Sequence, residues 1–75
     1  MTLKDLKVGD RARITGFADV GSARRRKLLA LGLTPGAAVA VARLAPLGDP
    51  MEVRVHGLTL AVRKSEAATL RVEKL

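Results

Sequence analysis

The chain has no cysteine. That absence removes disulfide staples, thiolate metal sites and thiol nucleophiles together, and it accords with a reducing compartment. Aromatic residues are nearly missing: Phe17 is the only one. Binders of single-stranded nucleic acid stack bases on several aromatic side chains, and grooves for proline-rich peptides are lined with them. One phenylalanine builds neither surface. There is a single histidine, His56, whereas a metal centre wants three or four convergent ligands. His56 and Glu52 supply two at best, and Arg54 between them repels a cation. Asp5, Asp10, Asp19, Asp49, Glu52, Glu66 and Glu73 are scattered, so no carboxylate pair or triad can be assembled from them. Phosphate-cradling glycine motifs are also absent. No catalytic, cofactor-binding or metal-ligating residue is expected, and the chain reads as a non-enzyme. No stretch approaches the ~18 uninterrupted apolar residues of a membrane span. The start, MTLKDLKVGD, has charges where a signal peptide has its apolar run. A cytoplasmic protein without direct membrane insertion is the expectation.

What the chain does have is basic charge and alternation. Its 75 residues carry a formal net charge of +7. The length fits one domain, residues 1–75, with a modest core. The charge points to an acidic partner: nucleic acid, an anionic membrane surface or an acidic protein face.

From Gly36 to Arg63 three strands follow one another. Val39 and Val41 alternate with small residues. Met51, Val53 and Val55 alternate with Glu52, Arg54 and His56; Leu58, Leu60 and Val62 alternate with Thr59, Ala61 and Arg63. Period-two alternation marks strands with one buried face. A two-residue turn at His56-Gly57 sets Val55 opposite Leu58, Val53 opposite Leu60 and Met51 opposite Val62. A one-residue slip would expose one row. A loop from Ala45 to Asp49 sets Val41 opposite Val53 and Val39 opposite Val55.

Around this meander, Leu3 and Leu6 are expected to dock a short lead-in, and Gly9-Asp10 to turn. Arg11–Phe17 reads as the first strand, with Ala12 and Ile14 inward and a bulge at Gly16. A loop at 18–21 precedes a helix over Ala23–Leu31, capped by Ser22 and stopped at Gly32. Leu28, Leu29 and Leu31 form its packing face. Thr34-Pro35-Gly36 turns into the meander. Lys64–Thr69 reads as one helical turn capped by Ser65, and Leu70–Glu73 as a last strand pairing with the first. The expected fold is mainly β: a small, closed, SH3-like five-stranded barrel with one short helix between the first and second strands.

Two stretches stand out on the surface. Arg24, Arg25, Arg26 and Lys27 crowd the start of the helix, where the dipole disfavours cations. They read either as a surface for something negative or as a solvated basic face. The loop Pro46, Leu47, Gly48, Asp49 and Pro50 offers a leucine between prolines, to a partner or folded over the barrel end; its stiffness lowers the entropy lost on docking.

Taken in order, TLxDLxxGxRARIxGF, LLALGLTPG, APLGDP and EVRVHGLTLAVRKSEA resemble the FeoA family of bacterial ferrous-iron transport, over about Thr2–Val72. The resemblance implies an SH3-like barrel and a non-enzymatic accessory role beside FeoB, a permease with a cytoplasmic GTPase domain. FeoB would recruit the protein to the inner face of the membrane. The motif residues are Leu31, Gly32, Leu33, Pro35 and Gly36, then the 46–50 loop, then Ala61, Arg63 and Glu66. The dense run 24–27 departs from the pattern. The resemblance implies no agreed metal site. Binding of RNA or DNA is the alternative, self-association is left open, and a regulatory ion or nucleotide site ranks last.

Overall fold

The structure, a computed structural model, describes residues 1–18 and 21–75. Among these, five antiparallel strands form one sheet in the order β4-β3-β2-β1-β5: β1 (Arg11–Phe17), β2 (Ala38–Leu44), β3 (Met51–Val55), β4 (Leu58–Val62) and β5 (Leu70–Lys74). Two helices interrupt them, α1 (Ser22–Ala30) and the single-turn α2 (Lys64–Ala67). A 3-10 turn at Leu3–Asp5 leads in. The expected mainly β, five-stranded, SH3-like layout is the one observed.

The meander has the register that alternation demanded. Val55 faces Leu58, Val53 faces Leu60 and Met51 faces Val62. His56 and Gly57 both have positive φ, 52° and 77°, the requirement of the tight turn whose twist matches the strands. Val41 faces Val53. Beyond it the register shifts, so that Arg43 faces Glu52 and Leu44 faces Met51. One residue of β2 bulges there, and the connection runs from Ala45 to Pro50 rather than to Asp49. Gly16 also lies at a register shift, between β1 and β5.

Burial follows parity. Ala12, Ile14, Val39, Val41, Met51, Val53, Val55, Val62, Leu70 and Val72 point into one core, joined by Leu3, Leu6, Leu28 and Leu33. Leu58 departs from its row: it is 62% exposed. It sits on an end strand at the hairpin tip, past the reach of the core. Strand closure is a second correction. β4 and β5 end the sheet and are not hydrogen-bonded to each other among the described residues, so the barrel is rolled but open and both edges persist.

The helix differs in register and in face. It starts at Ser22, with Gly21 in the cap position and no side-chain cap; Ser22 is inside it. Its stop is as expected. Gly32 has φ 92°, its N–H bonds Leu29 O at 3.0 Å, and Leu33 N–H bonds Leu28 O at 3.1 Å. This is the double bond of a glycine-terminated helix. Of the expected apolar face only Leu28 is buried; Leu29 and Leu31 are exposed. Likewise Arg63, not Ser65, holds the N-cap position of α2, without a side-chain cap bond. It ends at Ala67, where the Thr69 hydroxyl donates to Glu66 O at 2.7 Å. The expected loop at 18–21 lies partly outside the described residues.

The first residues lie along the start of β5. Thr2 bridges Arg71, and Val72 N–H bonds Met1 O at 3.1 Å.

Candidate functional site

The stretches singled out above lie far apart in sequence, and α2 draws them together. Asp49 Oδ1 accepts the N–H of Lys64, the first residue of α2, at 3.0 Å. Lys27 Nζ reaches Glu66 Oε2, within α2, at 2.9 Å. The 46–50 loop and the start of α1 are thus both tied to one helical turn.

The loop is ordered by its own backbone. Gly48 N–H bonds Ala45 O at 2.7 Å and Ala45 N–H bonds Pro50 O at 3.1 Å. Pro46 and Leu47 are the central residues of that Ala45–Gly48 turn. Leu47 has φ 66° and ψ 10°, a left-handed conformation that turns of this kind reserve for glycine. A side chain there costs roughly 1–2 kcal/mol. Leu47 is also 97% exposed, so it does not fold over the barrel end and its packing within the chain does not offset the strain. A strained, fully exposed leucine on an anchored turn is a feature of the kind found at functional positions.

The basic run does not form one patch. Consecutive residues of an α-helix radiate about 100° apart, and the contacts diverge accordingly. Arg25 lies over the Phe17 ring, 5.9 Å from its centroid. Lys27 turns to Glu66. Arg24, three residues from Lys27, shares its side and lines the same cleft, together with Arg63 and Ser65. Arg26 is exposed.

Glu66 is the functional-looking residue that sequence reading underrated. In the sequence it stands only as a motif residue among scattered carboxylates, yet it is buried. One carboxylate oxygen takes Lys27 and the other takes the Arg63 N–H at 3.1 Å. The Lys27 hydrogen bond holds its carboxyl below the ordinary range, assisted by the Arg63 N–H and the Arg24 charge and opposed by burial. The backbone N–H groups of Thr2 and Lys7 act likewise on Asp5 and Asp10. Each group is then more readily protonated in the unfolded chain than in the folded one. Stability is therefore full above the unfolded carboxylate values near pH ~4 and declines as pH falls through the lower folded values. Thermal melts from about pH 6 to about pH 2.5 are expected to show this decline, and Glu66→Gln to make it shallower. Superimposable melts across that range would exclude the assignment.

His56 is an exposed turn residue, with its ring beside Gly32. Among the described residues no three of His, Cys, Asp and Glu are placed to share a metal ion. No helix among them is long and apolar enough to cross a membrane.

Residues 1–74 match the family model described as the FeoA domain. A curated relative from Porphyromonas gingivalis, named Fe(2+) transport protein A/Fe(2+) transporter FeoB fusion protein, is 34% identical over 73 residues. Those residues are 97% of this chain and 8% of that protein, so the chain spans a small part of that relative's length. The solution structure of FeoA from Chlorobium tepidum is 48% identical, with a TM-score of 0.86, covering 100% of this chain and 70% of that one. The Stenotrophomonas maltophilia FeoA complexed with zinc, described as an SH3 domain protein, is 32% identical with a TM-score of 0.84, covering 97% and 89%. Matched almost end to end by the family model and by solved members of the same fold, the chain belongs to the FeoA domain family.

Proposed function

We propose that this protein is a non-enzymatic accessory factor of ferrous iron uptake that docks on the cytoplasmic side of a FeoB-type permease. The 46–50 loop makes the contact, with the start of α1 beside it. The observation that carries this reading is Leu47: strained, exposed and held in place from both sides. The fusion of the two proteins in the Porphyromonas relative supports FeoB as the partner. The nucleic-acid alternative loses its one stacking candidate, because Phe17 is only half-exposed and has Arg25 over its ring.

Full burial of a leucine side chain contributes roughly 1.5–3 kcal/mol, which is more than about tenfold in affinity. Leu47→Arg and Leu47→Gly are both expected to lose that much binding to the cytoplasmic part of FeoB in a pull-down. Leu47→Gly separates the effects, since relief of the backbone strain and the entropy of glycine nearly cancel, leaving stability within about 1 kcal/mol of wild type. Folded variants that bind as well as wild type would remove the loop from the interface. Iron uptake in cells lacking the protein, restored by wild type and not by Leu47→Gly, is the matching readout of function.

A further inference from the structure

We propose that the cleft between α1 and α2 is a binding site for a phosphate group. The cleft measures about 350 Å³ and is lined by Ala23, Arg24, Lys27, Arg63, Ser65 and Glu66. Three of the six are cations and one is an anion. The anion is already engaged on both oxygens, by Lys27 Nζ and by the Arg63 N–H. That leaves Arg24 and Arg63 lining a space whose lone carboxylate is masked. The summed charge of the lining side chains is +2, three cations less one carboxylate, which matches a phosphate dianion.

The donor set suits that ligand. Guanidinium is planar and presents paired N–H groups that fit the oxygens of phosphate. The Ser65 hydroxyl adds a neutral donor. It was expected to cap α2, but Arg63 takes that position, so the hydroxyl is available in the lining. The Lys27–Glu66 pair, 2.9 Å long, links α1 to α2 beside this space. The site also accounts for Arg24, a cation in the first turn of α1, where local electrostatics oppose it. A bound phosphate would convert that repulsion into charge-assisted hydrogen bonds.

This site lies on the same face as the docking loop but does not include it, so Leu47→Gly is expected to keep phosphate binding while losing the permease. The two readings therefore fail separately. The test is a titration of the full chain at low salt with inorganic phosphate, followed by NMR at the Ser65 amide and the arginine Nε resonances. Saturable shifts confined to the cleft are expected, with affinity reduced about tenfold or more in Arg24→Gln and in Arg63→Gln. Arg11→Gln removes the same charge from exposed β1 and is expected to leave affinity within about twofold, as only screened long-range attraction is lost. Glu66→Gln keeps an acceptor for the Arg63 N–H and is expected to tighten binding. Absence of saturable shifts, or an equal loss in Arg11→Gln, would overturn the site. A nucleoside triphosphate and vesicles of phosphatidic acid in phosphatidylcholine distinguish the source. Binding of the soluble phosphates alone assigns a small-molecule ligand; vesicle binding that is sensitive to Arg63→Gln assigns a lipid headgroup.

Discussion

Leu28→Ala is expected to lower the unfolding free energy by about 2–5 kcal/mol, the usual cost of a cavity left by a core leucine. Leu28 has no exposed surface and is the residue through which α1 enters the core. For a chain of this length total stability is on the order of 4–11 kcal/mol, so the loss is a large share of it. The melting temperature should fall by roughly 10–30 °C. The informative controls are Leu29→Ala and Leu31→Ala. Both residues are exposed at the surface, and their truncation is expected to cost under about 1 kcal/mol. Denaturant midpoints for the three variants check the assignment. Equal losses at Leu28 and Leu31 would mean that α1 sits on the sheet by a different face.

Gly32→Ala is expected to cost about 1–3 kcal/mol, and its origin can be separated into two parts. Gly32 has φ +92°, a conformation that a side chain resists, and a Cβ there would lie 3.1 Å from His56 Cδ2. The contact is with the far end of an exposed side chain, which can swing into solvent, so backbone strain should dominate. Gly36 supplies the comparison: its φ is +93° and nothing lies within 4 Å of its would-be Cβ. Similar losses are expected for Gly32→Ala and Gly36→Ala in chemical denaturation. The same loss at Gly32 should persist when His56→Ala is introduced as well. Recovery of stability in that double variant would show that the imidazole, not the backbone, sets the cost.

The strands were legible because parity is a strong constraint. Three facing pairs, Val55 with Leu58, Val53 with Leu60 and Met51 with Val62, admit one register, and a slip would have exposed a whole row. Parity says nothing about where the core ends, which is why Leu58 belongs to the inward row and is nonetheless exposed. The helix was harder to orient. Over nine residues and the C-cap, with cations at four successive positions, leucines at 28, 29 and 31 are compatible with more than one packing face. The bulge in β2 left no mark in its run of alanines and valines. The loop and the basic run were both visible as unusual local composition. Their junction was not, because the contacts Asp49 with Lys64 and Lys27 with Glu66 arise only when the fold brings α2 beside both the loop and α1. Glu66 shows the same limit: nothing in KSEAAT announces a carboxylate buried by a helix from elsewhere in the chain.

The bridge between Thr2 and Arg71 has a consequence for tethering. A domain whose first residues are held at one corner of its surface can hang from a longer polypeptide without being threaded through it. That corner is close to the candidate face, since the 3-10 turn at Leu3–Asp5 packs against α2. A short flexible tether to a partner supplies an effective concentration on the order of millimolar. A separate chain present at micromolar levels must make up the difference, about 4 kcal/mol. One buried leucine contributes roughly 1.5–3 kcal/mol. On the docking proposed above, Leu47 alone comes close to what a tethered domain needs, whereas a freely diffusing one must draw the remainder from the charges around α2.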